Sequence, residues 1–352
     1  MHGAGPLVSI IIPARNEERN IRNCVESISR SDYEPFEIIV VDDRSDDRTA
    51  AVARAVDAGN AERLLVVDGV ELPEGWLGKP WACEQGSREA TGDYLLFTDA
   101  DTTHEPELLS RAVRTLQEND ADALTLMGRQ VTGSFWEYLI QPQIFLLFLI
   151  RFPDLRKPLP PHRWRDAIAN GQFILFTCAT YEHLGRHESV KGEVVEDLRL
   201  AQLLVHGGYR FSIWLADDIF ATRMYQSLGE IVEGWSKNVA TATKMTLPRG
   251  LAAIAIPFTA LAVLFYWVLP PVLAVMLAGG LVSSSLGIWG VGLTGFSLLF
   301  WMGVCYRFQV PLGYGFFYPL GGLAMVAIFA RSWLRGSKVE WKGREYDVQV
   351  GS

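Results

Sequence analysis

Residues 251–306 contain no Asp, Glu, Lys, Arg or His. As a helix, that 56-residue run would be about 84 Å long at 1.5 Å per residue, against a hydrocarbon core of about 30 Å. No soluble core helix accounts for it, so at least two membrane crossings are expected, with Gly279-Gly280 and Ser283-Ser284-Ser285 offering the turn. Cysteine is scarce. Cys24, Cys83, Cys178 and Cys305 lie far apart and form no paired motif, which argues against a disulfide framework and a structural zinc. A basic excess is missing too: 32 Lys and Arg stand against 40 Asp and Glu, for a net charge of −8. The electrostatic footprint of a nucleic-acid binder is therefore absent. Residues 1–7 carry no long apolar stretch and lead at once into Val8-Ser9-Ile10-Ile11-Ile12, so the first domain is expected to fold in the cytoplasm. No internal repeat or low-complexity tract stands out.

What is there begins with Asp99-Ala100-Asp101. It closes the apolar run Tyr94-Leu95-Leu96-Phe97-Thr98, which reads as a buried strand of a parallel sheet. Carboxylates at such a strand end emerge where open α/β sheets bind ligands. Two of them would repel a phosphate unless a divalent cation lay between. Oxygen ligands and an anionic partner point to Mg²⁺ or Mn²⁺ with a nucleoside diphosphate.

Strand and helix alternate along the amino-terminal part. Strands are expected at 8–12, 36–41, 63–67 and 94–98, and helices at 18–29, 49–58 and 79–90. This βαβ alternation predicts an α/β fold with a doubly wound, mostly parallel sheet and ligands at the carboxyl ends of its strands. Residues 134–151 are aromatic and apolar, and read either as an interfacial helix or as a core helix. The proline-rich, basic stretch 153–161 reads as a lid or a linker.

Lys237, Lys244 and Arg249 flank the first crossing, and Arg331, Arg335, Lys338, Lys342 and Arg344 follow the last apolar stretch. The positive-inside rule then requires an even number of crossings. A third apolar stretch at 308–330, broken by Pro311 and Pro319, gives an odd count. Either the uncharged run makes three tight passes or the proline-broken segment is re-entrant or interfacial.

Four elements in fixed order carry a family resemblance: Pro13-Ala14-Arg15-Asn16-Glu17, Val41-Asp42-Asp43-Arg44-Ser45-Asp46-Asp47-Arg48-Thr49, Asp99-Ala100-Asp101 and Glu196-Asp197. Over residues 7–245 the chain resembles a family 2 glycosyltransferase of the GT-A fold. Gly75-Trp76-Leu77-Gly78-Lys79-Pro80-Trp81-Ala82-Cys83, Asn170-Gly171-Gln172-Phe173 and Val339-Glu340-Trp341-Lys342-Gly343-Arg344 are similar to a membrane-bound bacterial subgroup, the carotenoid- and hopanoid-associated glycosyltransferases. The resemblance implies a GT-A catalytic domain over 1–245, with 134–165 as an interfacial or lid segment. A transmembrane region of two to four crossings over 246–331 and a cytoplasmic tail over 332–352 would follow. It also implies a multi-pass protein of the bacterial inner membrane with its catalytic domain on the cytoplasmic side. Processive members carry Gln-x-x-Arg-Trp before the membrane; here the region reads Gly229-Glu230-Ile231-Val232-Glu233-Gly234-Trp235, which keeps the Trp alone. Addition of a single sugar is the expectation.

The implied activity is inverting transfer of a hexose from a UDP-sugar, UDP-glucose above all, to a hydroxyl of a membrane lipid. The rivals are a polyprenyl-phosphate acceptor and a non-catalytic scaffold or transport subunit that retains the nucleotide fold. Asp42 or Asp43 would accept from the uracil base, with capping of the next helix as the bland alternative. Pro13, Asn16 and Glu17 would meet base or ribose, or cap a helix. Lys79, opening a helix, suits a phosphate or a base carbonyl. Asp99 would touch the ribose and, with Asp101, the metal. Asp197 would begin a helix and act as general base, with Glu196 beside it orienting the site or capping. Trp235 and Lys237 would contribute to donor or acceptor binding, or anchor at the membrane interface. Arg223 and Tyr225 fit the same site. His183 and His187 share i, i+4 spacing but find no third ligand, so ordinary surface histidines are expected.

Overall fold

The computed structural model describes residues 5–152, 158–335, 338–341 and 344–347. The chain divides into two compact units, one of Met1–Val131, Asp154–Met224 and Lys338–Ser352, the other of Thr132–Pro153 and Tyr225–Ser337.

In chain order the elements of the amino-terminal half are β1 (Val8–Ala14), α1 (Ile21–Ser29), β2 (Phe36–Asp42), α2 (Thr49–Arg54), β3 (Leu64–Asp68), α3 (Gly78–Glu89) and β4 (Tyr94–Thr98). The short strand β5 (Thr102–His104), α4 (Leu108–Glu118), β6 (Ala123–Met127) and β7 (Arg129–Gln130) follow. After α5 (Phe135–Arg151), which belongs to the second unit, come β8 (Phe173–Thr177), α6 (Cys178–His183), α7 (Glu196–His206), β9 (Phe211–Leu215) and β10 (Phe220–Thr222).

The main sheet has the order β3-β2-β1-β4-β8-β6-β9. β1 pairs in parallel with β2 and with β4, so the winding reverses between β1 and β4, where open α/β sheets leave a crevice at their carboxyl ends. β1 and β2 are buried along their whole lengths, which is why both read as unbroken apolar runs. Alternate residues feed opposite faces. Ile10, Ile12, Ile38 and Val40 pack with Cys24, Val25 and Ile28 of α1, while Ile39 and Val41 pack with Ala82 of α3. Gly86 lets α3 lie against the sheet, since a Cβ there would come within 2.5 Å of the Ile11 side chain. β8 runs antiparallel to both neighbours, so its first residue, Phe173, stands opposite Thr98 at the end of β4. A second sheet, β5-β10-β7, flanks the Asp99-Ala100-Asp101 turn.

Two expected helices are shorter in the structure. α1 starts at Ile21 because Asn20 and Ile21 both donate to the Glu17 carbonyl in a preceding turn. α2 stops at Arg54, since Asp57 accepts from the Gly59 N–H at 2.8 Å and Gly59 turns the chain at φ 58°. Past the second unit, Lys338–Trp341 and Arg344–Asp347 pair as an antiparallel hairpin. Lys342 and Gly343 of the motif that begins at Val339 lie outside the described residues, as do residues 153–157 of the expected lid or linker.

The second unit holds α5, α8 (Leu228–Thr246), α9 (Arg249–Val263), α10 (Leu269–Ala278), α11 (Ser284–Arg307) and α12 (Tyr318–Arg335). α5 starts on a capping box in which Ser134 and Glu137 satisfy each other's backbone N–H groups. α9 runs into α10 through one π turn, Leu264–Val268, where the Leu269 N–H reaches back to Leu264. Pro270 and Pro271, which have no N–H to give, follow it. The uncharged run therefore makes two helices, with one break between Ala278 and Ser284. Three helical stretches are long and apolar enough to cross a membrane: Arg249–Ala278, Ser284–Arg307 and Leu312–Arg335.

Candidate functional site

The antiparallel setting of β8 decides which residues meet. Buried Thr98 donates its hydroxyl to the Gln172 carbonyl at 2.7 Å, so Asp99 leaves β4 beside the segment that opens β8. Lys79, in the first turn of α3, reaches Asp99 Oδ1 at 2.8 Å and Glu196 Oε1 at 3.0 Å with the same ammonium. Glu196 is enclosed, its side chain 9 % exposed, whereas the Asp99 side chain is 28 % exposed. No side chain caps α3. An uncapped helix start of this kind suits an anion.

Asp197 follows Glu196 in the first turn of α7, as expected for a helix start that favours acidic residues. Its Oδ2 accepts from the Gly171 N–H at 2.8 Å and its Oδ1 from the Leu198 N–H at 2.7 Å. Burial and the adjacent Glu196 carboxylate push the Asp197 carboxyl up to about 6, against the opposing pull of Lys79 and the two N–H donors. Burial alone would lower the Lys79 ammonium, but Asp99, Glu196 and Asp197 outweigh it and hold that pKa well above the usual lysine value. The result is one cation shared by carboxylates from β4 and α7.

Gly171 is the residue that the sequence did not single out for a role. A Cβ at this position would lie 2.9 Å from Asp197 Oδ2 and 3.1 Å from Lys79 Nζ. The only sequence signal was its place in Asn170-Gly171-Gln172. Gly171→Ala is expected to displace the carboxylate and lower kcat by roughly 10–100-fold, since sub-ångström to 1 Å misplacement near the reacting groups has effects of that order. Steady-state kinetics beside a thermal melt checks it: kcat should fall while Tm stays nearly unchanged.

The loops after β1 and β2 are tied to each other. Asn16, at φ 54°, accepts from the Asp46 N–H at 2.8 Å and donates its own N–H to Ser45 Oγ at 3.0 Å. The Glu17 N–H donates to Thr49 Oγ1 at 2.8 Å, and Arg15 donates to the Asp43 and Arg44 carbonyls at 2.6 Å each. Pro13 stands in β1 opposite Val41. Asp42 and Asp43 are both buried at the end of β2; Asp42 Oδ2 accepts from the Ser45 N–H at 3.2 Å, and its Oδ1 is buried with no hydrogen-bond partner among the described residues. The helix-capping duty falls to Asp47, which accepts from the Thr49 N–H at 2.9 Å. Asp42 is therefore left with acceptor capacity at the sheet's carboxyl edge.

Asp101 sits between the sheets, with Thr222 Oγ1 3.4 Å from its Oδ1. Among the described residues no three His, Cys, Asp or Glu side chains converge to hold a metal. Asp99 and Asp101 are the carboxylates of this turn that could take part in holding a divalent ion. That set suits Mg²⁺ or Mn²⁺, which take one or two carboxylates and complete their shell with water and substrate phosphate.

Trp235 and Lys237 lie on α8 in the second unit, where the Trp235 indole donates to Gln141 Oε1 at 3.0 Å and packs against Phe145 and Tyr225. Arg223 follows β10, its N–H directed at the Asp101 carbonyl at 3.4 Å. Of the two histidines, His183 is exposed but His187 is buried, contrary to the surface expectation. Its Nδ1 is 2.6 Å from the Tyr181 hydroxyl, and burial lowers its pKa to about 3. It is part of the core beside Phe97.

Residues 9–181 match the family described as Glycosyl transferase family 2. A 4,4'-diaponeurosporenoate glycosyltransferase of Staphylococcus aureus (strain MRSA252) is 29 % identical over 367 residues, covering 97 % of this chain and 88 % of that protein. The enzyme of the same name from strain USA300 is 31 % identical over 256 residues, 71 % of this chain and 65 % of its own length. Among solved structures, the mannosyltransferase PcManGT from Pyrobaculum calidifontis, in complex with GDP-Man and Mn²⁺, superposes with a TM-score of 0.54 at 16 % identity. That match covers 94 % of this chain and 86 % of the other. With its α/β sheet and its ordered loop carboxylates, the chain belongs to glycosyl transferase family 2.

Proposed function

We propose that this glycosyltransferase moves a hexose from a UDP-sugar, UDP-glucose by preference, to a hydroxyl of an isoprenoid or carotenoid lipid, with inversion at the anomeric carbon. The observation that carries this is the Lys79 ammonium shared by Asp99 and Glu196, next to an Asp197 clamped by two backbone N–H groups. Asp42 and Asp43 accept from the base, with Pro13, Asn16 and Glu17 shaping its surround. Lys79 and the start of α3 meet the diphosphate, and Asp99 the ribose. Asp101, with Asp99, would hold Mg²⁺ or Mn²⁺, which when bound neutralises charge on the departing diphosphate. Asp197 takes the acceptor proton while the hydroxyl attacks C1 in line, and Glu196 keeps Lys79 placed. The S. aureus relatives are named for a carotenoid-type acceptor, and the long apolar helices suit an acceptor dissolved in lipid.

A second reading has a specific support: the relatives' named substrate ends in -oate, a carboxylate. A carboxylate acceptor gives a glycosyl ester, and a hydroxyl gives an alkali-stable glycoside. Membranes holding the protein, incubated with labelled UDP-glucose, UDP-galactose or GDP-mannose and then extracted, test donor and acceptor together. Label in the lipid phase from UDP-glucose supports the proposal; label only in water-soluble polymer overturns it. Mild alkali then separates the ester from the glycoside.

The Asp197 assignment also fixes a pH dependence. A base works only when deprotonated, so kcat/KM should rise as pH passes through about 6 and level off above. Lys79→Gln removes a charge that holds the Asp197 pKa down, and the acid limb should move to higher pH. A profile flat across that range contradicts the role.

A further inference from the structure

We propose that only two of the three apolar helical stretches cross the bilayer, and that Leu312–Arg335 enters a single leaflet and leaves by the face it entered. The partner of this surface is the lipid of the leaflet on the catalytic side. The inference does not depend on the donor or the acceptor.

The argument follows the chain through the second unit. α8 comes directly after the first unit and before the first crossing, so it lies on the starting face. α9 and α10 carry the chain away and α11 returns it: Gly290 lies so close to α10 that a Cβ would come within 2.8 Å of Leu273, and Gly287 repeats this against Leu277. Arg307 therefore ends α11 back on the starting face. α12 finishes there too. Arg331 donates to Glu233 of α8 at 2.7 Å, and Arg335 pairs with the same carboxylate. The Ala240 N–H of α8 donates to Ser332 Oγ at 2.9 Å.

The beginning of α12 is held by α5. Gln143 Nε2 donates to the Tyr318 carbonyl at 3.1 Å, and Gly321 leaves room for that side chain and for the Leu139 carbonyl. α5 cannot cross, because the residues before and after its segment both belong to the first unit. Its last residue, Arg151, donates to the Thr246 carbonyl at the end of α8, at 3.1 Å. So α12 is bound at one end to α5 and at the other to α8, neither of which traverses.

Burial agrees: 39 % of this stretch's apolar window is covered by protein, against 17 % and 28 % for the other two. What stays uncovered is apolar, including Leu312, Phe316, Leu320, Leu323, Trp333 and Leu334. An exposed apolar face of this kind suits acyl chains beneath a headgroup layer. An even count of crossings also satisfies the basic flanks at both ends.

The test uses the full chain in sealed vesicles of both orientations, a membrane-impermeant maleimide and peptide mass spectrometry. Three single variants report three places: Glu118→Cys on the first unit, Ser284→Cys at the α10–α11 turn and Ser352→Cys at the tail. The tail thiol is expected to react in the vesicles where Glu118→Cys reacts, and to be protected where Ser284→Cys reacts. Reaction of the tail together with Ser284→Cys makes α12 a third crossing and overturns the proposal. A protease-cleavable epitope after Ser352 gives the same discrimination without cysteine substitution: cleavage on the Glu118 face supports it, and cleavage on the Ser284 face refutes it.

Discussion

Asp197→Asn is expected to lower kcat by roughly 10²–10⁴-fold with a hydroxyl acceptor, the usual worth of a positioned general base. The amide cannot take the proton, and the Gly171 and Leu198 N–H groups that orient a carboxylate would meet only one acceptor oxygen. Donor KM should change little if Asp197 serves the nucleophile, as proposed. The size of the effect is itself diagnostic. A carboxylate or phosphate acceptor is already deprotonated at neutral pH, and for either one the variant should stay within a few-fold of the parent. Single-turnover kinetics with donor in excess, with product identified by mass, separates the two. A large fall with an alkali-stable product fits the hydroxyl; a small one with an alkali-labile product fits the ester.

Asp101→Ala should cost roughly 10²–10³-fold in kcat, comparable to removing one preorganised group that stabilises charge developing on a leaving group. Asp99, Glu196 and Asp197 set three carboxylates around the Lys79 ammonium, and Asp101 follows Asp99 by two residues. A nucleoside diphosphate approaching alone would meet net negative charge. Chelation should therefore abolish turnover of the parent protein, with Mn²⁺ or Mg²⁺ restoring it, and Asp101→Ala should need much more metal to reach half its own maximum. Full activity of Asp101→Ala in the presence of chelator would instead show that transfer does not depend on a metal held by this residue.

Much of the first unit could be read from residue order because its signals are local. β1 and β2 are buried throughout, so they show as uninterrupted apolar runs closed by acidic or polar loops. β4 ends where Asp99 was expected to begin its turn. What stayed hidden depends on strand direction. Nothing in the composition of residues 173–177 says that β8 runs against its neighbours. That reversal puts the segment opening β8 beside the end of β4, where the Gly171 N–H reaches Asp197 and Lys79 touches both Asp99 and Glu196. His187 was misjudged for a related reason: polar flanks suggested a surface, whereas Tyr181 and Phe97 enclose it. Residues 134–151 left interface and core equally open, and α5 now groups with the apolar helices. In the second unit, charge-free length announced membrane, but the path of α12 rests on Glu233, Ser332 and Gln143, polar residues whose partners lie far along the chain.

The late arrival of β8 divides the proposed roles along the chain. The groups proposed for the nucleotide on β1, β2, α3 and the Asp99 turn lie before residue 102, and the carboxylate proposed for the incoming nucleophile is clamped by residues after 170. The stretch separating these two halves holds α5 and contributes no assigned group to either. Substitutions confined to that stretch are therefore expected to leave the leaving-group chemistry as it was.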